Sequence, residues 1–193
     1  AVRDLWIRGL ISGEMHMSLG EEAIAAGIAD HLGAGAALAL DHRGTAPLVA
    51  RGVDLRALLR ELLGRTDGLC GGRGGHMHLF SRAHFAASSG IVGASGPLGA
   101  GLALSCGRLR PGRAAAAFFG DGALNQGMLL ESLNLAAVWK LPLVFVCKDN
   151  GWAITTRAGM VTAGTTEDRV RGFGLPYEAV DGRDVEAVWN AAR

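Results

Sequence analysis

Apolar positions near the start of the chain follow a helical period. They recur every four residues, at Ile24, Ile28 and Leu32. Ser18 precedes this stripe and is followed three residues later by Glu21, which is the sequence of a capping box. The pattern therefore predicts a helix over about 19–32.

Two more helices and a short strand are predicted in the same half of the chain. Asp54 is a good N-cap for a leucine-rich amphipathic stretch, and Pro97 fits the first turn of a helix that reaches about Cys106. The apolar run at 37–41 predicts a buried strand. The segment 68–75, GLCGGRGG, is too rich in glycine for either element and is predicted to be a loop.

The second half alternates continuous apolar runs with helical patterns. Residues 114–119 and 143–147 are predicted strands, and 124–140 is a predicted helix between them. Continuous apolar runs joined by a helix are typical of parallel strands that are buried on both faces. A third strand is predicted at 177–180, and Asp184 is the expected N-cap of a last helix. The pattern therefore predicts an α/β fold with a mostly parallel sheet.

The composition is that of a globular domain in a reducing compartment. Of the 193 residues, 49% are hydrophobic and 19% are charged, which supplies a large core and excludes disorder. This length fits one domain or an incomplete piece of a larger protein. The three cysteines, Cys70, Cys106 and Cys147, form no C-x-x-C pair. That usage predicts a cytoplasmic protein without a disulfide framework or a zinc site.

Charge and hydropathy also bear on the partners of the chain. A formal net charge of +1 gives no electrostatic basis for binding nucleic acid or an anionic membrane surface. The apolar runs are far too short to span a membrane. A charged fraction of 19% is low for a lone soluble domain, and it suggests that a protein partner covers part of the surface.

Polar residues follow two of the predicted parallel strands. Gly120-Asp121-Gly122 comes after the first, and Asp149-Asn150 comes after the second. Open parallel sheets bind ligands outside the carboxyl ends of their strands. Carboxylate and amide oxygens suit Mg²⁺ or Ca²⁺, and the N-terminus of the following helix favours phosphate. These residues predict a site for a metal and a diphosphate, although two ordinary strand-to-helix turns would give the same triplet.

A series of longer motifs carries a family resemblance. In chain order these motifs are SLGEEA, DHRG, GRGGHMHLF, SGIVGASGPLGAGLAL, GDGALNQG, LNLAAVWKLP and KDNGWAIT. The series resembles the thiamine diphosphate motif and its surroundings in the α subunits of 2-oxoacid dehydrogenase complexes, with the acetoin and pyruvate dehydrogenase branches nearest. The resemblance implies a three-layer α/β thiamine diphosphate-binding fold over residues 1–193, incomplete at its C-terminal end.

The resemblance implies a metal role for three residues at the ends of two strands. Asp121, the Asn150 side chain and the Trp152 backbone carbonyl would hold Mg²⁺ against the diphosphate of the cofactor. Gly122 and Ala123 would offer their backbone to the same diphosphate. All five residues are therefore expected to lie around one cofactor site.

Five further residues are placed at the cofactor by the same resemblance. Arg43 would neutralise the diphosphate with a bidentate fork, and His42 stands beside it. The backbones of Gly90 and Val92 would contact the aminopyrimidine ring, and His16 would lie near cofactor and substrate as the candidate catalytic residue. Each has a plainer alternative, such as a surface ion pair for Arg43 and a helix-flanking surface histidine for His16.

The sequence also departs from the pattern of that family. Lys148-Asp149 replaces a frequent Glu-Asn, which changes the charge next to the metal ligands. The segment 42–47 lacks histidines that are common beside the phosphate end, and His76 stands where serine is common. His76 and His78 could form a metal-ligand pair, but no third ligand is visible nearby, and a loop role is favoured.

The resemblance predicts a thiamine diphosphate- and Mg²⁺-dependent α subunit that cleaves the C–C bond next to the carbonyl of a 2-oxoacid or an acyloin. It implies a β-type subunit in an α2β2 enzyme and a lipoyl-bearing acyltransferase as a further partner. Family α subunits continue through another strand and a catalytic histidine loop, so the chain is expected to be a fragment or a shortened subunit. Two alternatives stay open: an acyloin-forming carboligase or non-oxidative decarboxylase, and a non-catalytic scaffold.

Overall fold

The computed structural model describes residues 2–193 and contains a five-stranded sheet between two layers of helices. The strands of this sheet are β1 Ala37–Leu40, β2 Phe80–Ser81, β3 Ala86–Ser88, β4 Ala115–Gly120 and β5 Leu143–Lys148. Their order is β2-β3-β1-β4-β5, in which β2 is antiparallel to β3 and the other neighbours are parallel. Two further short strands, β6 Trp152–Ala153 and β7 Thr156–Arg157, form a separate hairpin.

Eight helices accompany these strands in the part of the chain that the structure describes, two of them before β1 and two after β7. They are α1 Val2–Ile7, α2 Glu22–His31, α3 Thr45–Ala50, α4 Leu55–Leu62, α5 Ser95–Leu109, α6 Gly127–Trp139, α7 Thr166–Gly172 and α8 Val185–Ala192. The side chains of Asp54 and Asp184 accept backbone hydrogen bonds at the starts of α4 and α8, as expected from the sequence. Among residues 2–193 there is no helix that is both long and apolar enough to cross a membrane.

Each face of the sheet is buried by a different set of helices. On one face Leu38, Leu40 and Phe118 form a core with side chains of α2 and α4. On the other face Phe119 packs with side chains of α6, and α5 lies against the small residues of β1 and β4. At Gly99 of α5 a Cβ would approach the Cβ of Ala117 to 2.8 Å, so glycine lets this helix lie close to the sheet. The three-layer, mostly parallel α/β prediction is confirmed.

The predicted capping box at the start of α2 is wrong. Gly20 has a φ of +84°, which interrupts helical backbone, and the helix begins only at Glu22. The Ser18 hydroxyl instead donates to the Arg43 carbonyl at 2.7 Å, a contact with the segment after β1. The polar side chains that the sequence suggested as a local cap therefore make tertiary contacts instead.

Two other predicted elements differ in the structure. The helix predicted at 124–140 begins at Gly127, because Asp121–Asn125 forms a 3₁₀ turn directly after β4. The strand predicted at 177–180 is not formed: these residues pair with no strand within 2–193. Phe173 packs on the Phe119 face of the sheet, whereas α8 packs on α2 at the opposite face, so the segment between them crosses from one face to the other.

Candidate functional site

The predicted site residues lie at one edge of the sheet. The four parallel strands end at this edge, where ligands of α/β proteins commonly bind. The residues that follow them are Gly90 and Val92 after β3, His42 and Arg43 after β1, Asp121, Gly122 and Ala123 after β4, and Asn150 and Trp152 after β5. The strand order places β1 and β4 side by side, with β3 and β5 flanking them. Residues far apart in sequence thus share one sheet edge.

Asp121 has the environment of a metal ligand. Its side chain is buried, and Oδ1 accepts a hydrogen bond from the Asn150 backbone N–H at 3.4 Å. Oδ2 is buried and has no hydrogen-bond partner within residues 2–193. Burial, and then the charge of Asp149, raises the pKa of Asp121 above its usual value. A buried carboxylate oxygen without a partner is costly, and a cation would relieve that cost.

The turn after β5 contains Asn150, whose side-chain amide is a predicted metal ligand. The Asn150 Oδ1 accepts from the Trp152 backbone N–H at 2.9 Å, and the Asp149 Oδ1 accepts from the Gly151 N–H at 2.9 Å. Both side chains are exposed, and an amide oxygen has a second lone pair for a further partner. The turn therefore fixes the direction of Asn150 without using all of its acceptor capacity.

Gly122 brings the β6–β7 hairpin against the turn that contains Asp121. A Cβ at Gly122 would lie 2.7 Å from the Cβ of Ala153, so a side chain does not fit there. The Ala123 side chain is buried in the apolar cluster of Phe119 and Leu124. The side chains at these two positions therefore offer nothing to a ligand, and the backbone role predicted for Gly122 and Ala123 stays a prediction.

These donors suit Mg²⁺ with a diphosphate. Carboxylate, amide and carbonyl oxygens are hard ligands, and Mg²⁺ commonly takes one or two carboxylates together with phosphate oxygens. Residues 2–193 contain no cluster of three or more His, Cys, Asp or Glu side chains that could hold a metal by themselves. A cation at Asp121 would therefore depend on Asn150, on the Trp152 carbonyl and on oxygens of the ligand.

Arg43 is held by the chain on three sides. Its Nη1 donates to the Met17 carbonyl at 2.9 Å, its Nε lies 3.6 Å from Glu21 Oε1, and its backbone N–H donates to Asp41 Oδ1 at 3.1 Å. Its Nη2 makes no hydrogen bond to another described residue. The ion pair expected as the plainer alternative is therefore present, but it leaves part of the guanidinium available.

Buried charges beside Arg43 are the main feature that sequence reasoning missed. Lys148 Nζ lies 2.9 Å from Glu21 Oε2 and 3.0 Å from Asp41 Oδ1, and its side chain is only 4% exposed. The sequence showed Lys148 solely as a departure from the family pattern. The sequence nevertheless contains a signal for this network: Lys148 directly follows an apolar run, and a charged residue at a buried strand end needs a partner of opposite charge.

His16 forms a cluster with two other histidines, His42 and His76, at the same edge. Its ring centroid is 4.7 Å from that of His42 and 5.9 Å from that of His76, and its backbone N–H donates to His76 Nε2 at 3.3 Å. Burial lowers the pKa of His42 to about 4, with further lowering by the neighbouring cations and His16 against the opposing effect of Asp41. Burial likewise lowers the pKa of His76. The cluster is therefore neutral at His42 and His76 near neutral pH.

The segment after β3 packs on the loop that carries His76 and His78. A Cβ at Gly90 would lie 3.1 Å from Met77 Sδ and 3.3 Å from His78 Nε2. Glycine thus allows close contact between the two segments. Val92 is half exposed and faces no apolar core. The loop role favoured for His76 and His78 fits this packing.

Comparison with known proteins now identifies the family. The model of the dehydrogenase E1 component family matches residues 2–193, and the chain belongs to that family. The α subunit of acetoin:2,6-dichlorophenolindophenol oxidoreductase from Cupriavidus necator is 45% identical over 192 residues, covering 96% of this chain and 56% of that protein. The pyruvate dehydrogenase E1 α subunit from Zymomonas mobilis is 43% identical over 187 residues, covering 95% of this chain and 53% of that protein.

The relatives also define the extent of the match. The chain spans about half the length of the curated relatives it matches. A solved structure, described as a thiamin diphosphate-dependent enzyme isolated from Mycobacterium smegmatis, aligns with a TM-score of 0.57 at 19% identity, covering 92% of this chain and 31% of that one. Identity this low shows the fold alone, and it confirms the predicted fold class. The family resemblance drawn from the motifs is confirmed as well.

Proposed function

We propose that the chain is a thiamine diphosphate- and Mg²⁺-dependent α subunit of a 2-oxoacid or acetoin dehydrogenase. The observation that carries this proposal is the buried, unpartnered Oδ2 of Asp121 at the strand edge that also bears Asn150 and Arg43. Membership of the E1 family and the names of the relatives support the same conclusion. The proposal includes the cofactor, the metal and the substrate class.

Different residues of the chain would bind the metal and the diphosphate of the cofactor. Asp121, the Asn150 side chain and the Trp152 carbonyl would hold Mg²⁺, and the backbones of Gly122 and Ala123 would bind the diphosphate. When bound, thiamine diphosphate supplies the electron sink for cleaving a C–C bond next to a carbonyl. The protein supplies orientation, charge and exclusion of water.

The other end of the site would bind the ring and the substrate. Arg43 would bind the diphosphate through its free guanidinium nitrogen, with His42 beside it, and Gly90 and Val92 would line the aminopyrimidine. His16 would act on the substrate, since its position beside neutral His42 and His76 suits proton transfer at an imidazole.

The proposed partners follow from the subunit type. We infer a β-type subunit that completes an α2β2 enzyme, a lipoyl-bearing acyltransferase as acyl acceptor, and pyruvate, acetoin or a related compound as substrate. The relatives named above are α subunits, which supports the first of these inferences. Free thiols at Cys70, Cys106 and Cys147 support a cytoplasmic location.

The proposal can be tested by co-expressing the chain with a β-type subunit and purifying the complex. Mass spectrometry of the released small molecules should show thiamine diphosphate, and metal analysis should show Mg²⁺. Pyruvate and acetoin are then assayed with and without a lipoyl acceptor. Acyl transfer to the acceptor supports a dehydrogenase subunit, whereas release of acyloin or aldehyde alone would point to the carboligase or decarboxylase alternative. A complex without thiamine diphosphate would contradict the proposal.

A further inference from the structure

A buried charge network links three separate elements behind Arg43. Lys148 ends β5, Asp41 follows β1, and Glu21 precedes α2. Lys148 Nζ bridges the two carboxylates at 2.9 Å and 3.0 Å, across sequence separations of 127 and 107 residues. Lys148 and Asp41 are buried, so these contacts are screened little by water.

Both carboxylates of this network also hold Arg43. Asp41 Oδ1 accepts the Arg43 backbone N–H at 3.1 Å, and Glu21 Oε1 lies 3.6 Å from the Arg43 Nε. Lys148 uses the other oxygen of Glu21, Oε2. The lysine and the Arg43 guanidinium therefore compete for Glu21, while Asp41 is shared between the lysine and the Arg43 backbone N–H, and the lysine has the shorter contacts.

This competition determines how much of the Arg43 charge remains for a ligand. Two carboxylates facing a single arginine would draw its guanidinium inward and neutralise it. With Lys148 present, the four charges sum to zero, and the Arg43–Glu21 contact stays long. A guanidinium that is oriented by its surroundings and only weakly paired is well suited to bind an external phosphate with its planar fork.

We propose that Lys148 is a positioning residue for Arg43: it engages Glu21 and Asp41, and thereby keeps the Arg43 guanidinium oriented and available for the diphosphate of the cofactor. This inference rests on the proposed function for the identity of the ligand. It assigns a role to the residue by which the sequence departs from the Glu-Asn pattern of its family.

The first test measures the affinity for the cofactor of the chain in complex with its β-type subunit. Thiamine diphosphate with Mg²⁺, and thiamine without phosphates, are titrated into the wild type, Lys148→Met and Lys140→Met. Lys140 is the other lysine of the chain and is exposed, so it controls for the loss of one positive charge. Lys148→Met should weaken thiamine diphosphate binding about tenfold or more, and should leave thiamine binding and the control unchanged. Equal loss for both ligands would show a structural role and overturn the proposal.

The second test asks whether Lys148 acts through Arg43. Arg43→Lys keeps the charge and removes the fork, so it should itself weaken thiamine diphosphate binding about tenfold. Adding Lys148→Met to Arg43→Lys should then have an effect of less than about twofold, because there is no guanidinium left to orient. If the two substitutions are fully additive, Lys148 acts on the ligand independently and the proposal is wrong.

A third measurement needs no cofactor. Solvent exchange of the Arg43 Nε–Hε proton is followed by nuclear magnetic resonance, with the signal assigned by its loss in Arg43→Lys. Lys148→Met should change the exchange rate several-fold, and Lys140→Met should not; an unchanged rate would overturn the proposal. If the wild type binds no thiamine diphosphate, the proposed function fails, while this measurement still decides whether Lys148 positions Arg43. Should Lys148→Met not fold, Lys148→Gln, which keeps a donor but no charge, replaces it in every test.

Discussion

At the scale of single residues, His42 combines partial burial with a position between positive groups. Burial, with the charges of His16, Arg43 and Lys148, lowers its pKa to about 4 even though Asp41 opposes the shift. In the unfolded chain a histidine titrates near its ordinary value of about 6.5. Between about pH 4 and pH 6.5, the unfolded chain therefore binds a proton at His42 that the folded protein does not bind.

The stability of the protein should consequently fall as the pH is lowered. The contribution of His42 is fully present above about pH 6.5 and is lost as the pH falls toward 4, because the unfolded state gains its proton first. Allowing for solvent screening of a partly exposed ring, we expect a loss of about 1 kcal/mol between pH 7 and pH 5. Urea unfolding of the wild type and of His42→Gln at the two pH values measures it.

A matched variant separates His42 from the other titrating groups. His84 lies outside the site, where its Nδ1 is hydrogen-bonded to Ser81, and His84→Gln should keep the full pH dependence. His42→Gln should flatten it by about 1 kcal/mol. Equal pH dependence in His42→Gln and the wild type would show that the ring is not the source.

The sequence predicts those site residues that lie next to a recognisable local pattern. Asp121 and Asn150 directly follow buried strands, and the end of a strand is visible in the pattern of apolar residues. The partners of Lys148 are not visible in this way, since Glu21 and Asp41 lie more than a hundred residues away in sequence. Only the strand order brings the three together.

At the scale of elements, the glycine-rich loop at 68–75 owes its shape to one carboxylate. Glu61 is fully buried at the end of α4. Its Oε2 accepts backbone hydrogen bonds from Cys70 at 2.6 Å and Gly72 at 2.8 Å, and its Oε1 accepts one from Gly74 at 2.6 Å. Burial alone would raise the pKa of Glu61, but these donors outweigh it and the pKa lies below its usual value.

Glu61→Gln should therefore destabilise the protein. Donors surround both carboxylate oxygens, so one of them would face the amide NH₂ group instead of an acceptor. We expect the free energy of unfolding to fall by about 2–4 kcal/mol, as measured in urea. Glu131→Gln on the exposed side of α6 is the control and should change little. Similar values for the two variants would mean that the loop does not depend on this carboxylate.

Element prediction succeeded for buried strands and failed for polar signals that serve two purposes. The continuous apolar runs of β4 and β5 have no other use, and both strands form close to their predicted bounds. Ser18 matched a capping box, but its hydroxyl is used by Arg43. The segment 177–180 has strand-like residues, yet strands form only when a neighbour supplies hydrogen bonds.

At the scale of the whole molecule, apolar surface remains exposed beside the last strand of the sheet. Val138, Trp139 and Val144 are 67%, 55% and 49% exposed. Within residues 2–193, β5 pairs with β4 alone and so presents an unpaired strand edge. Exposed apolar groups next to an unpaired outer strand favour association with another chain.

The isolated chain should therefore associate, and under the proposed function it should be inactive until it binds a β-type subunit. Size-exclusion chromatography with light scattering is expected to give a mass above the 20.0 kDa of one chain, and a defined larger complex when the β-type subunit is added. Activity toward pyruvate or acetoin should appear only in that complex. A strictly monomeric chain that turns over either substrate would contradict this expectation.

The most direct test of the proposed site is the binding of Mg²⁺ and thiamine diphosphate to the assembled protein with and without Asp121. Calorimetric titration of the wild type, Asp121→Asn and the exposed control Asp67→Asn compares the three affinities. Loss of the charged ligand should weaken binding about a thousandfold or more, EDTA should have the same effect on the wild type, and Asp67→Asn should bind normally. A folded Asp121→Asn protein that binds the cofactor as tightly as the wild type would contradict the assignment of the site.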